Sequence, residues 1–243
     1  MVGVEQGYVQ QKMTLKQTTE CNICKDLEWT YYKGEFGEDI ATECTCVALK
    51  KAKRHLANCG IEEAFRSKRI KDFTIEGKGE DVIRAKKTAI AYLDNFDTIR
   101  NTMQNSIALL GQPGSGKTHL CMSIANKLLA DGIGVVYMSY RDAIGIIKKS
   151  QWGDEENKEL KKYKNAQILY IDDLFKGKNT ETDINLIFEL INHRYLAKKP
   201  ILISSELYID QMLEIDEAIG SRIKEMCKNF LVEIKGKNYN HRL

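Results

Sequence analysis

Short apolar runs alternate with amphipathic stretches along most of the chain. The apolar runs, bounded by turn-forming or charged residues, predict five buried strands, at 107–110, 134–140, 167–171, 200–204 and 229–234. Apolar residues at helical spacing predict helices at 79–96, 119–130, 141–150 and 181–197. Strands that alternate with helices are typical of an α/β fold with a central parallel sheet.

The region before residue 79 follows a different pattern. Residues 1–20 are polar and contain several glutamines. Aromatic residues at 29, 31, 32 and 36, with turn-forming glycines at 34 and 37, predict a small β-hairpin. Helical spacing follows at 47–56. We therefore expect two domains, a small N-terminal module at 1–66 and a larger α/β domain at 67–243.

Basic residues are concentrated near the predicted domain boundary. From Lys50 to Lys71 the chain has eight Lys or Arg residues against two Glu. Such a band is either a solvated helix face and linker or a surface for nucleic acid or an acidic partner, and the pattern leaves both open. The formal net charge of +3 is weak evidence for nucleic acid by itself.

The composition is that of an ordinary globular protein. Of the 243 residues, 43% are hydrophobic and 29% are charged. The first twenty residues contain no apolar core suited to a signal peptide, and no apolar run approaches the length of a membrane span. We expect a cytoplasmic protein that does not act at a membrane.

A glycine-rich stretch follows the first predicted buried strand and opens the next helix. It reads Gly111, Gln112, Pro113, Gly114, Ser115, Gly116, Lys117 and Thr118, with His119 next. The G-x-x-x-x-G-K-T spacing is typical of a phosphate-binding loop, because glycines let successive N–H groups turn toward an anion. We expect Lys117 to contact the β- and γ-phosphates of ATP and the Thr118 hydroxyl to bind Mg²⁺.

Polar residues end the third and the fourth predicted strands. Asp172 and Asp173 close the third predicted strand. Asp172 is expected to hold Mg²⁺ through a bound water, and Asp173 to orient or deprotonate the water that attacks the γ-phosphate. Ser204, Ser205 and Glu206 end the fourth strand, and ligands of parallel sheets bind beyond such carboxyl ends.

Four of the seven cysteines form two close pairs. Cys21 and Cys24 have C-x-x-C spacing, and Cys44 and Cys46 have C-x-C spacing. Four thiolates in two pairs suit tetrahedral Zn²⁺, so we expect a structural zinc site with the hairpin packed on it. Unrelated buried cysteines and a redox pair remain alternatives. Cys59 falls outside this spacing.

Gly220, Ser221 and Arg222 stand out in the C-terminal part of the chain. An arginine just after a turn of small residues can reach outward, and such an arginine can complete the ATP site of a neighbouring subunit. A surface arginine that forms an ordinary ion pair is the alternative, and spacing alone favours it.

The order of these parts resembles one family, the AAA+ replicative helicase loaders of bacteria and their phages, of the DnaC/DnaI type. The resemblance is carried by the cysteine module, the basic linker and the motifs G-Q-P-G-S-G-K-T, I-L-Y-I-D-D, P-I-L-I-S-S-E and G-S-R. It covers nearly the whole chain, and only the ATPase motifs are individually specific. It implies a three-layer P-loop fold and an ATPase that binds single-stranded DNA and delivers the hexameric replicative helicase onto it.

The resemblance also implies roles for particular parts. The N-terminal module would contact the helicase, and the ATPase domains would associate side by side, with Arg222 acting on the nucleotide of the next subunit. Tyr140, Arg141, Lys148 and Lys149 fall where these loaders are expected to contact DNA. Aromatic and basic residues there are suited to base stacking and to backbone contacts.

The chain departs from the family pattern at three places. Glu206 stands where the family commonly has an asparagine that senses the γ-phosphate, so either Ser205 takes that role or hydrolysis is slow. Arg242 is the only stand-in for a second sensor arginine, and residues 1–20 match nothing in the family. Two rival functions follow: a transposition helper ATPase, which would not be expected to carry the cysteine module, and an adaptor that binds ATP without turnover.

Overall fold

The structure is a computed structural model that describes residues 21, 23–34, 37–44, 46–47, 50, 66–149 and 157–235. It divides the chain into two compact units, Met1–Val47 and Ala48–Leu243. The predicted limits, 1–66 and 67–243, stay a prediction, because 51–65 lies outside the described residues. Most of the helix predicted at 47–56, Cys59 and Arg242 lie outside them as well. Within the described parts, no helix combines the length and the apolar character needed to cross a membrane.

The smaller unit contains an antiparallel hairpin of two strands, β1 (Trp29–Lys33) and β2 (Asp39–Glu43). The predicted hairpin is confirmed, but those of its aromatic side chains that the structure describes are largely exposed. Trp29, Tyr31 and Tyr32 are 47%, 67% and 52% exposed. Two strands of five residues form a single layer. Among the described residues of this unit, the buried cluster consists of cysteines. Phe36 lies outside the described residues.

The larger unit is built on a parallel sheet of five strands. In chain order these are β3 (Ile107–Gly111), β4 (Val135–Ser139), β5 (Ile168–Asp172), β6 (Ile201–Ser205) and β7 (Leu231–Ile234). Their order across the sheet is β4-β5-β6-β3-β7. All the pairings are parallel, so the strands end at one edge of the sheet. The five predicted strands are confirmed, each to within two residues.

Helices follow the strands in the predicted alternation. They are α1 (Glu80–Ile99), α2 (Lys117–Ala130), α3 (Tyr140–Lys149), α4 (Lys158–Asn165), α5 (Glu181–Leu196), α6 (Ile209–Ile215) and α7 (Glu217–Met226). A short 3-10 turn at Ile70–Asp72 precedes α1. The strongly charged stretch 151–164 contributes most of α4, and 150–156 lies outside the described residues.

Two cores lie on the two faces of the sheet. In β3, Ile107 and Leu109 pack with α1 and α2, whereas Ala108 and Leu110 pack with α3, α5, α6 and α7. Successive side chains of a strand point to opposite faces, so a strand covered on both sides is apolar throughout. The predicted three-layer α/β sandwich is therefore confirmed.

A buried arginine organises the edge of the sheet opposite the strand ends. Arg194 of α5 is fully buried and donates hydrogen bonds to the carbonyl oxygens of Tyr163, Ala166 and Pro200, at 2.9, 2.9 and 2.7 Å. Burial lowers the pKa of its guanidinium to about 9. These contacts join the end of α4 to the chain entering β5 and β6, and the guanidinium supplies hydrogen-bond donors to buried backbone carbonyls.

Candidate functional site

A cleft of about 260 Å³ opens where β3, β5 and β6 end. Its walls come from the glycine-rich loop, the loop after β5, the residue after β6 and the segment before α1. The lining residues are Lys68, Pro113, Gly114, Gly116, Lys117, Thr118, His119, Asp173, Lys176 and Glu206. The structure thus brings the predicted phosphate loop and the second acid of the predicted pair to one cleft.

The loop between β3 and α2 adopts a conformation that requires glycine. Gly111, Gly114 and Gly116 have φ angles of 132°, 77° and 90°. A Cβ on Gly111 would lie 2.4 Å from the carbonyl oxygen of Ile234, and one on Gly116 would lie 2.4 Å from the ring of Phe73. These positive φ angles turn the backbone in the manner of anion-binding loops, so the loop fits a phosphate group.

Lys117 is held inside this loop. It is 5% exposed, and its Nζ donates to the carbonyl oxygen of Gln112 at 2.7 Å. The Ser115 hydroxyl donates to the same carbonyl at 2.9 Å. Burial lowers the pKa of Lys117, and Glu206 and Asp173 act in the opposite direction. A buried ammonium group with a neutral acceptor is poised to bind an entering anion.

Asp172 lies at the meeting point of four hydroxyl groups. It accepts hydrogen bonds from Thr118 at 3.1 Å, from Tyr170 at 2.7 Å and from Tyr137 at 3.1 Å. The hydroxyl of Ser204 donates to it as well. The two side chains predicted to hold Mg²⁺, Thr118 and Asp172, are therefore in contact, and oxygen ligands of this kind fit that ion.

The sequence analysis expected Ser204 at this edge of the sheet, but it missed the contacts that three of these hydroxyl residues make with Asp172. Tyr137, Tyr170 and Ser204 come from β4, β5 and β6, three strands that are neighbours in the sheet. Tyr170 carried a usable signal, since it lies two residues before Asp172 and so on the same face of β5. The contacts of Tyr137 and Ser204 with Asp172 depend on the order of the strands in the sheet.

Ser205 occupies a different position from the one its predicted role requires. It is fully buried, and its hydroxyl donates to the carbonyl oxygen of Leu174 at 2.6 Å. The neighbouring Ser204 instead contacts Asp172 and accepts a hydrogen bond from the Asp173 N–H at 3.0 Å. The structure brings Ser204, not Ser205, to the two acids.

The segment before α1 closes one side of the cleft. His119 packs edge to face on Phe73 with ring centroids 5.3 Å apart, and its Nε2 lies 3.2 Å from the carbonyl oxygen of Arg69. The amide of Asn126 donates to the carbonyl oxygen of Lys68 at 3.0 Å. Helix α2 therefore anchors this segment against the phosphate loop, a contact that the sequence analysis did not predict.

Arg222 does not follow a turn, which corrects the prediction. It lies within α7, where its Nε donates to Asn192 at 3.0 Å and its guanidinium lies 5.3 and 5.4 Å from the ring centroids of Phe188 and Tyr195. Gly220 also lies within this helix, and a Cβ there would lie 2.8 Å from the backbone N of Leu213 in α6, so glycine permits the close approach of the two helices. Arg222 is not among the described residues that line the cleft of its own chain.

The predicted DNA-contacting residues also differ from expectation. Tyr140 is 1% exposed and its hydroxyl donates to Asn179 at 2.5 Å, so its ring is unavailable for base stacking in this structure. Lys148 forms an ion pair with Asp183 at 2.7 Å. Arg141 donates to the carbonyl oxygen of Lys178 at 2.9 Å. These residues join α3 to the loop after β5, and Lys149 ends the helix.

The smaller unit holds a separate candidate site. The sulfur atoms of Cys21, Cys24, Cys44 and Cys46 all lie within 4.8 Å of one another, and two of the distances are 3.8 and 3.4 Å. A tetrahedral zinc site with Zn–S bonds of about 2.3 Å has sulfurs about 3.8 Å apart. Backbone amides of Cys24 and Ile23 lower the pKa of Cys21, which favours the thiolate that a metal requires, whereas burial raises the pKa of Cys46. The four residues therefore fit zinc.

Comparison with known proteins gives both close and distant relatives. The chain is 42% identical over 232 residues to the phage-like element PBSX protein XkdC of Bacillus subtilis, a match that covers 92% of this chain and 86% of XkdC. It is 25% identical over 180 residues to the replicative helicase loader DnaC of Escherichia coli, covering 73% and 70% of the two chains. An IS21 insertion-sequence ATP-binding protein of Pseudomonas aeruginosa is 25% identical over 210 residues, covering 81% and 76%.

A solved structure and a family model complete the comparison. The crystal structure of a DnaC helicase loader matches with a TM-score of 0.61 at 23% identity, covering 72% of this chain and 100% of that one, which supports the fold. The model for the IstB-like ATP binding protein family matches residues 51–242. The predicted resemblance to loaders of the DnaC/DnaI type is confirmed by these matches. The chain belongs to the family of IstB-like ATP-binding proteins.

Proposed function

We propose that this chain is an ATPase that loads a replicative helicase onto single-stranded DNA. The observation that carries the ATPase assignment is the shared cleft, which the glycine-rich loop and Asp173 line together and where Asp172 contacts Thr118 of the loop. The loader assignment is supported by the similarity to DnaC and by the cysteine module that precedes the ATPase unit.

The residues of the cleft divide the chemistry of hydrolysis among them. The N–H groups of the loop from Gly114 to Thr118 and the Lys117 ammonium bind the phosphates of ATP. Thr118 and Asp172 hold Mg²⁺, which supplies positive charge against the charge of the transferred phosphoryl group. Asp173 accepts a proton from water as the water oxygen bonds to the γ-phosphorus. The bond from that phosphorus to the β–γ bridging oxygen breaks, leaving ADP and inorganic phosphate.

The partners follow from the same assignment. The hexameric replicative DNA helicase binds the N-terminal module, whose four cysteines hold Zn²⁺, and single-stranded DNA binds the ATPase unit. Copies of the chain associate so that Arg222 of one copy contacts the nucleotide of the next. In this structure the guanidinium of Arg222 packs on aromatic rings of its own chain. For the proposed role it must leave these rings and reach the nucleotide of the neighbouring copy.

One observation favours a second function. The family model and the IS21 protein both match this chain, and a transposition helper would use the same loop and acids. The DNA-bound helper would act with a transposase in place of a helicase. The cysteine module favours the loader.

Affinity purification tests the choice between the two partners. With the wild-type chain as bait and ATP and Mg²⁺ present, we expect a bacterial extract to yield the replicative helicase, and single-stranded DNA to stimulate hydrolysis. Lys117→Ala serves as the control for hydrolysis. Recovery of a transposase without the helicase would replace the loader assignment, and tight ATP binding without turnover would reduce the chain to an adaptor.

A further inference from the structure

One basic residue of the cleft has no part in the chemistry described above. The Nζ of Lys176 lies 2.7 Å from Asp173 and 3.1 Å from Glu206, so it bridges the two acids that line the cleft opposite the phosphate loop. Its side chain is 45% exposed, and the two acids are 34% and 30% exposed. Charged side chains with this degree of exposure can still be reached by a ligand that enters the cleft.

The loop after β5 holds Lys176 in place. Asp173 and Phe175 have φ angles of 55° and 61°, a backbone region that non-glycine residues rarely adopt. Leu174 and Phe175, which lie between Asp173 and Lys176 in the chain, are buried. The Leu174 N–H donates to the carbonyl oxygen of Ser204 at 2.9 Å. The N–H of Lys176 donates to the carbonyl oxygen of Asp173 at 3.0 Å. The strained turn therefore presents Lys176 toward the cleft.

The charges around Lys176 give it a specific chemical task. The terminal phosphate of ATP brings additional negative charge to a cleft that already contains Asp173 and Glu206, and like charges repel. This repulsion comes from both acids, each of which lines the cleft. An ammonium group between the two acids removes it and can itself donate to a phosphate oxygen. Hydrogen bonding to Asp173 raises the pKa of Lys176, so it stays charged.

We propose that Lys176 is a ligand of the γ-phosphate and that Glu206 positions it. In the nucleotide-free chain, Lys176 pairs with Asp173 and Glu206. When ATP enters, the Lys176 ammonium donates to a γ-phosphate oxygen and keeps its contact with Glu206, which releases Asp173 to act on water. The proposal rests on the proposed ATP site and adds a contact that ADP does not make.

The test measures nucleotide preference, not turnover. Competition against a fluorescent ADP analogue, with Mg²⁺ present, gives the affinities of ADP and of a non-hydrolysable ATP analogue. We expect the wild type to prefer the ATP analogue and Lys176→Ala to reduce that preference by about 10-fold or more, with the ADP affinity nearly unchanged. Lys178→Ala, which removes the same charge from an exposed side chain of the same loop, should leave the preference unchanged.

A double variant separates a direct contact from simple charge neutralisation. In Lys176→Ala/Glu206→Gln the repulsion from Glu206 is gone, and we expect the reduced preference to persist because the γ-phosphate ligand is still missing. Restoration of the wild-type preference would overturn the proposal, as would a Lys176→Ala variant that keeps it. A wild type without ATP preference would also overturn it. If the wild type prefers ATP but does not hydrolyse it, the ATPase assignment is refuted. The comparison of nucleotide preference between the wild type and the variants still tests the role of Lys176.

Discussion

Replacing Lys117 with alanine is expected to weaken ATP binding by about 10- to 100-fold and to lower hydrolysis by about 100-fold or more. Lys117 is the buried cation of the loop. The groups that accept hydrogen bonds from its ammonium are neutral. The alanine variant loses the charge that a phosphate would meet there. Isothermal titration calorimetry with ATP and a phosphate-release assay measure the two effects.

The matched control for this variant lies on the same helix. Lys127 of α2 is exposed and pairs with Asp131 four residues later, a surface contact of little energy. Lys127→Ala should therefore bind and hydrolyse ATP like the wild type. Full ATP affinity in Lys117→Ala would show that the loop is not the phosphate site.

Replacing Cys21 with serine is expected to reduce the zinc content from one ion per chain to none and to unfold the smaller unit. The described part of that unit has one buried cluster, and it consists of the four cysteines. Because structural zinc contributes about 10–16 kcal/mol of apparent binding energy, a unit with so small an apolar core should not stay folded without it. Elemental analysis and limited proteolysis measure the two losses.

The same variant also tests the separation of the two sites. ATP affinity should be unchanged in Cys21→Ser, because the phosphate loop belongs to the other unit. Cys227→Ser provides the metal control, since Cys227 is buried in the larger unit and should leave the zinc content intact. Loss of ATP binding in Cys21→Ser, or retention of one zinc ion, would contradict the account.

The strands and the phosphate loop could be predicted from the sequence because both are encoded locally. A strand covered on both faces is an apolar run, and Gly111, Gly114 and Gly116 mark backbone angles that other residues avoid. The pairing of Thr118 with Asp172 also followed, since strands of a parallel sheet end at one edge.

Contacts that depend on tertiary packing could not be predicted in this way. The hydroxyls of Tyr137 and Ser204 reach Asp172 because β4 and β6 flank β5, and strand order is not written in local periodicity. Gly220 suggested a turn, but it serves the close approach of α6 and α7. Tyr140 suggested an exposed aromatic, but the first turn of α3 packs its ring against Phe175.

We propose that the glycine-rich loop and the acids ending β5 bind one ATP together with one divalent metal ion. Electron paramagnetic resonance of Mn²⁺, used in place of Mg²⁺, measures this directly. We predict a tightly bound Mn²⁺ signal that requires ATP and is lost in Asp172→Asn and in Thr118→Val. ATP-dependent Mn²⁺ binding that survives unchanged in Asp172→Asn would contradict the claim.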